Sequence, residues 1–411
     1  MTALRVPMPA AGDDRDAVLL VLGGEPWQQN GGGVFIEQMS RAIGGRVVHL
    51  SVALGGGPHA RADWPWEHVS IPARRPIPGM GKLRQAFRSF ASFLEWNVVR
   101  RRELRRGLEH EAARLRGLGI RRVVYFMNSI EILDLAPMLN EVLGVPYSTM
   151  EWDLIELAID ALPARRVRDR LSRAATALRE GAATRGVASE GMVSMYEERW
   201  GLDSTVLRQT IVPGAKSESP AKDAFVIGLC GTMIVPDEFR AFLAALDLLD
   251  WNVDGRPIEF LWIGEPRPDQ RELHPRIRST GWVPHARSLE LLSGVDLGYS
   301  GLWFATERRP WVESSFPSKI ISYLSAGVPV LYHGPAYGTP AKFMKAFRVG
   351  FGCHVLEPQA IAELVAGIVR EPASLSAARD EATRAVRTEF TPQVLVERVD
   401  RMLRDAPRRN R

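Results

Sequence analysis

The run Ser315-Phe316-Pro317-Ser318-Lys319-Ile320-Ile321-Ser322-Tyr323-Leu324-Ser325-Ala326-Gly327-Val328-Pro329-Val330-Leu331 decides the fold, because it fits a helix start, a short helix and a buried strand into seventeen residues. Pro317 suits a first helical turn, where its missing N–H costs nothing, and Ser315 or Ser318 is placed to supply a capping hydroxyl. Ile320, Ile321 and Leu324 share one apolar face, Gly327 can end the helix in a left-handed conformation, and Val328 to Leu331 continues as a strand. A helix opening here aims its first backbone N–H groups and the positive end of its dipole at whatever precedes it, and Lys319 adds a full charge. The segment reads as an anion site that a diphosphate would fit.

The same alternation of strand and helix extends in both directions. Upstream, strands are expected at Phe225 to Cys230 and Ile258 to Ile263, with a helix over Asp237 to Leu249 and a further strand through Ser300. Helices near Ile361 to Arg370 and Pro392 to Leu403 finish the chain. In the first half, Ala17-Val-Leu-Leu-Val-Leu22 is a continuous apolar run, as a strand covered on both faces must be. It breaks into Gly23-Gly24 and then Gly31-Gly32-Gly33 before a helical pattern of Phe35, Met39 and Ile43. Arg46 to Val52, Arg122 to Met127 and Val145 to Met150 read as further strands, with a helix ending near Gly144. Strands alternating with helices imply α/β architecture with doubly wound parallel sheets.

With 411 residues, the chain exceeds one typical domain and is expected to form two. Residues 215–223 have linker composition, which places one domain over 1–214 and another over 224–390. The two cysteines, Cys230 and Cys353, are too few for a disulfide framework and favour a reduced, cytoplasmic setting. The N-terminal residues lack the apolar core of a signal peptide, and no apolar run approaches the ~18 residues a membrane span needs. The expectation is a cytoplasmic protein, peripheral to the inner face of the membrane if it touches one.

Charge is uneven. Between Arg74 and Arg122 the sequence has fourteen Lys or Arg against four Glu, a net +10 in a chain whose total is +5. Phe87, Phe90, Phe93, Leu94 and Trp96 are interleaved, so residues 74–122 form a basic amphipathic stretch that suits an anionic membrane surface, an acidic acceptor or a solvated helix pair. Charge of this kind is weak grounds for a nucleic-acid role, and none is expected.

The segment from Phe316 to Leu331 resembles the donor site of the GT-B glycosyltransferases, whose nucleotide-sugar diphosphate sits on such a helix. The resemblance implies two Rossmann-like, doubly wound parallel-sheet domains facing a cleft, with residues 391–411 holding a helix that crosses back to the first domain and a short tail. It implies a metal-independent transfer of a sugar from a nucleotide diphosphate sugar to a hydroxyl acceptor, be it a glycan, a lipid-linked acceptor or a small molecule. No cofactor is implied beyond the donor as co-substrate. Within the family, "GTMIVPDEF" (Gly231–Phe239) and "SKIISY" (Ser318–Tyr323) look more like the bacterial exopolysaccharide glucuronosyltransferase type than the family 4-like retaining type.

Ligands of open α/β sheets lie beyond the carboxyl ends of the strands. By resemblance, Gly231, Thr232 and Met233 lie by the phosphates, Gly281, Trp282 and Val283 hold the base, and Ser318 and Lys319 hold the diphosphate. Many retaining members carry Glu where this chain has Ser322, at the donor ribose, and Arg and Lys around the first loop, where this chain has neither. In the first half the strand ends give Gly32, Gly33 and Asn128 as an acceptor or phosphate loop, and Glu151-Trp152-Asp153. Inversion needs a base within reach of the acceptor hydroxyl, and Asp153 is the candidate with Glu151 in reserve. A capping role for Asp153, ahead of Leu154 to Ile159, is the alternative. The only Asp-x-Asp, Asp14-Arg15-Asp16, precedes the first strand, and no His or Cys cluster has zinc spacing, so no metal is expected. A non-catalytic nucleotide-sugar binder, a family 4-like retaining transferase and a sugar-nucleotide epimerase of the same shape remain open.

Overall fold

The computed structural model describes residues 16–27, 31–54, 64–73, 85–211, 223–266 and 274–404. The expected linker 215–223, apart from Asp223, lies outside them, as do residues 74–84 of the basic stretch and the arginines at the end of the chain. The chain divides into two compact units, Met1–Arg208 with Leu395–Arg411, and Gln209–Val394.

The first unit runs β1 (Ala17–Leu22), α1 (Gly31–Ile43), β2 (Arg46–Leu54), β3 (Glu67–Ala73), α2 (Gln85–Leu94), a π-helical turn (Glu95–Val99), α3 (Arg100–Gly117), β4 (Ile120–Phe126), α4 (Ile130–Leu143), β5 (Tyr147–Glu151), α5 (Ile155–Asp160), α6 (Arg165–Gly181), β6 (Thr184–Val187), α7 (Glu190–Trp200) and β7 (Thr205–Val206). The second runs β8 (Phe225–Cys230), α8 (Pro236–Leu248), β9 (Asn252–Val253), β10 (Arg256–Ile263), β11 (Ile277–Ser279), α9 (His285–Leu292), β12 (Leu297–Gly301), α10 (Arg309–Ser314), α11 (Ser318–Ser325), β13 (Val330–His333), α12 (Thr339–Phe347), β14 (Gly350–Cys353), α13 (Pro358–Arg370) and α14 (Pro372–Glu389). The last helix, α15 (Pro392–Arg404), returns to the first unit from Leu395 onward.

The first sheet has the order β3-β2-β1-β4-β5-β6-β7 and all its pairs are parallel. The second has the order β11-β10-β8-β12-β13-β14, again parallel, with β9 added antiparallel on β10. In each, the direction of winding reverses once, beside β1 and β4 in the first sheet and beside β8 and β12 in the second. A reversal leaves the following loops pointing apart and opens a crevice at the carboxyl ends of those strands.

Both faces of β1 are covered, which is why its sequence is apolar without alternation. Leu19 and Val21 pack with Val48, Leu50, Val123 and Tyr125, while Leu20 and Leu22 pack with Phe35, Met39 and Val124 and with Leu395, Val399 and Met402 of α15. The Thr184 hydroxyl donates to the Met402 carbonyl at 2.6 Å and fixes the end of that helix. β3 has no counterpart in the sequence reading. It is an edge strand, and its Pro72 belongs where no ladder bond is lost.

The most deeply enclosed ionic group among the described residues of the first unit is centred on Glu151 and Arg179. Glu151 and Arg179 are both 0% exposed, and Arg179 Nη2 donates to Glu151 Oε1 at 2.7 Å. Arg179 also donates to Glu156 and lies 4.3 Å from the Trp200 ring centroid, while the Tyr196 hydroxyl donates to Glu151. Burial disfavours the guanidinium's charge, but Glu151 and Glu156 outweigh it and raise its pKa above the ordinary value. Removing one member of such a pair leaves the other charge buried and alone. Arg179→Met is therefore expected to cost about 3–5 kcal/mol of stability in denaturant titration, with much of the loss recovered in the Arg179→Met/Glu151→Gln double variant.

Candidate functional site

In the second unit the predicted donor residues converge on the edge where the winding reverses. α11 begins at Ser318 with Pro317 as its N-cap, and no side chain caps it. The expected capping hydroxyl is thus corrected. Ser318 already lies inside the helix and is exposed, and the Ser315 hydroxyl is buried without a hydrogen-bond partner. At the end of β12 the Ser300 hydroxyl is likewise buried and unpartnered. At the other end of α11, Gly327 adopts φ +68°, the left-handed stop its sequence position implied.

Lys319 turns back toward β8. Its Nζ donates to the Thr232 carbonyl at 2.8 Å, which joins the loop Gly231-Thr232-Met233 to the start of α11. Burial lowers its pKa to about 8, with Cys230 acting in the opposite sense. Tyr323 anchors the same helix, because its hydroxyl donates to the Tyr299 carbonyl at 2.7 Å and accepts from the Cys230 N–H at 3.0 Å. The ring can sit there only because residue 298 is glycine; a Cβ at Gly298 would lie 2.5 Å from the Tyr323 ring.

The loop after β8 is held from the other side by β10. Gly231 N–H donates to the Ile263 carbonyl at 2.8 Å, and the Trp262 indole donates to the Gly231 carbonyl at 2.9 Å. Gly264 pairs with Gly281, and a Cβ on Gly264 would stand 3.0 Å from the Gly231 oxygen, so the backbones touch. Ser279 secures this join: its hydroxyl donates to the Gly264 carbonyl at 2.9 Å and accepts the Gly281 N–H at 3.2 Å. Trp282 is 58% exposed and Val283 packs against the apolar cluster that contains Ile320 and Leu324. Met233 is corrected to a core residue, since its side chain is 1% exposed among Phe239, Phe260 and Trp262. Ser322 directs its hydroxyl back to the Ser318 carbonyl at 3.5 Å.

Sequence reasoning missed Glu238. Its buried carboxylate accepts the Phe304 N–H at 3.0 Å, tying the first turn of α8 to the segment after β12 that holds Trp303, whose ring lies 4.5 Å from Trp311. The acidic residue in "VPDEF" was visible, but nothing in the sequence shows that a backbone sixty-six residues away needs an acceptor.

In the first unit, Gly23, Asn128 and the end of β5 come from the adjacent strands β1, β4 and β5. Gly23 N–H donates to the Asn128 side-chain oxygen at 3.2 Å, and a Cβ at Gly23 would overlap Ser129. Gly32 and Gly33 lie in the opening turn of α1, half-buried and buried. Trp152 packs edge-on to Phe35 of α1 and Phe126 of β4. Asp153 is exposed just beyond β5. Leu154, not Asp153, is the N-cap of α5, and the carboxylate serving that helix is Glu151, which accepts the Ile155 N–H at 2.9 Å. Glu151 is therefore corrected from reserve base to structural carboxylate, because Arg179, Tyr196 and Ile155 occupy its oxygens and water does not reach it.

Trp27 packs against Trp64 and His68, with its indole donating to Glu25 at 3.1 Å. His68 and His49 bond to Ser51 and Ser40, and burial lowers their pKa values to about 4 and about 3. Asp16 pairs with Arg121 at 2.9 Å, and Asp14 lies outside the described residues. Among the described residues no three His, Cys, Asp or Glu side chains are grouped to hold a metal ion, and no helix is long and apolar enough to cross a membrane.

No protein-family model and no curated protein sequence matches this chain. Solved structures do. Anabaena Alr3699/HepE, crystallised with UDP and glucose, superposes with a TM-score of 0.63 at 12% identity, over 94% of this chain and 99% of its own. WaaG, described as a glycosyltransferase involved in lipopolysaccharide biosynthesis, gives 0.59 at 13% identity, over 94% and 99%. CalG4, the calicheamicin glycosyltransferase, gives 0.53 at 16% identity, over 96% and 100%. The likeness at these identities is one of fold, and the fold of this chain is GT-B, the architecture these glycosyltransferases share.

Proposed function

We propose that this chain is a metal-independent glycosyltransferase that moves a sugar from a nucleotide diphosphate sugar to a hydroxyl acceptor. The observation that carries the reading is the start of α11: a helix N-terminus without a side-chain cap, beside an ammonium held on the Thr232 carbonyl. Oriented N–H dipoles and one cation stabilise the charge that accumulates on a departing diphosphate, and they need no reorganisation when it forms. Gly231 and Thr232 border the phosphates, and Gly281 to Val283 border the base. UDP is the first nucleotide to try, because HepE was crystallised with UDP and glucose.

In the first unit Asp153 is the base that takes the acceptor proton, with Gly32, Gly33 and Asn128 flanking it. It is exposed just past β5, and Glu151 already does the work of capping α5. An Asp at this strand end, with Trp152 beside it, favours inversion. The acceptor is a sugar, a lipid-linked or a small-molecule hydroxyl, and the setting is cytoplasmic or at the inner membrane face. The second reading is a nucleotide-sugar binder without turnover. It is favoured by Ser322, whose hydroxyl bonds back to its own helix where the resemblance expects a ribose-binding Glu. Calorimetric titration with nucleotide diphosphates, run beside a product assay on candidate acceptors, separates the two; tight binding without product on any acceptor selects the binder.

Three outcomes are expected of the enzyme. Lys319→Ala lowers turnover about 10²–10³-fold while the melting curve is unchanged; full activity removes the donor site. Because the free Lys319 ammonium titrates at about 8, it is charged below that pH and neutral above it, so kcat/KM falls as pH rises through 8. A guanidinium stays charged, and Lys319→Arg, though slower, abolishes that fall. Asp153→Asn lowers kcat about 10²–10⁴-fold with donor affinity retained; wild-type rates exclude Asp153 as base.

A further inference from the structure

The basic stretch has two faces with different chemistry. Trp96, Arg100, Leu104, Leu108 and Leu115 point inward, where Arg100 donates to Glu131 at 3.2 Å and to Glu95 at 3.1 Å and lies 5.0 Å from the Trp96 ring centroid. Outward stand Phe90 (58% exposed), Leu94 (40%) and Val99 (39%), followed by the exposed Arg101, Arg102, Arg105 and Arg106. Phe90 and Leu94 are four residues apart in α2 and so share a face. The intervening π-helical turn, closed by the Arg100 N–H on the Glu95 carbonyl, makes residues five apart neighbours, and thereby brings Val99 into line with Leu94. From Val99 the stripe continues at helical spacing through Arg102 and Arg106.

We infer that this stripe is a docking surface for an anionic lipid bilayer. Guanidinium groups meet the headgroup phosphates while Phe90, Leu94 and Val99 enter the boundary of the acyl chains. Charge complementarity selects the occupant: the exposed Arg101, Arg102, Arg105 and Arg106 follow three apolar side chains that a soluble protein gains nothing by exposing. A nucleic-acid backbone would use the arginines and leave Phe90 and Leu94 in water. The stripe is fixed to the body of the first unit, because Arg100 bonds Glu131 and Glu131 accepts the Ser129 hydroxyl at 2.8 Å, next to Asn128. Docking therefore holds the Asn128 loop at a set orientation to the surface.

The inference does not rest on glycosyl transfer, and its test is independent of it. The full chain is sedimented with vesicles of phosphatidylcholine, or of phosphatidylcholine mixed with phosphatidylglycerol, at low and raised salt. Expected are pelleting with the anionic vesicles, release by salt, and about tenfold or greater loss of partitioning in both Phe90→Asp/Leu94→Asp and Arg102→Glu/Arg105→Glu/Arg106→Glu. Nucleotide titration on the same preparations reads the donor site separately and is expected to be unchanged in both variants. Absence of pelleting, equal pelleting on neutral vesicles, wild-type partitioning of either variant, or retention on DNA in place of lipid overturns the inference.

Discussion

Close contact between Gly298 and the Tyr323 ring sets the geometry on which the second unit depends. With no Cβ at residue 298, the ring lies flat against β12, and its hydroxyl reaches the Tyr299 carbonyl and the Cys230 N–H together. One side chain thus pins α11 to both strands at the winding reversal. The helix N-terminus and Lys319 fall at the carboxyl edge as a consequence, and the bond from Lys319 to Thr232 closes the loop after β8 onto it. Gly264 continues the same logic, since a Cβ there would stand 3.0 Å from the Gly231 oxygen, whereas Gly231 and Gly281 serve through their positive φ of +78° and +66°.

The first unit answers a different problem, that of a charged group in its core. Glu151 ends β5 facing inward and would be costly there without Arg179, Tyr196 and the Ile155 N–H to surround it. Meeting these bonds fixes the turn out of β5, and the next carboxylate along the chain, Asp153, emerges into solvent. Two acidic residues separated by one tryptophan therefore have opposite environments, one buried and one exposed.

Much of the architecture was legible because it follows from periodicity. Ala17–Leu22, Phe225–Cys230 and Arg256–Ile263 are strands whose apolar runs admit no other burial, and Gly327 stops α11 where its sequence position implied. Short or edge elements were less legible. β3 carries a proline and half-polar character, because one side of an edge strand lacks a partner. In the loops, Met233 reads as a donor residue by position but packs into the core, and Glu151 reads as a base but is consumed by an arginine twenty-eight residues away.

By itself the sequence determined the alternating α/β class, the breaks at glycine, the short helix that carries Lys319 and the concentration of positive charge between Arg74 and Arg122, all of them local in composition or spacing. Only the tertiary structure decided which carboxylate is buried and which is open, that Lys319 meets Thr232 eighty-seven residues away, and that the arginines follow Phe90 and Leu94 along one outward stripe. Those outcomes depend on desolvation and on partners brought together by long-range packing, and neither quantity is written in the neighbourhood of a residue along the chain.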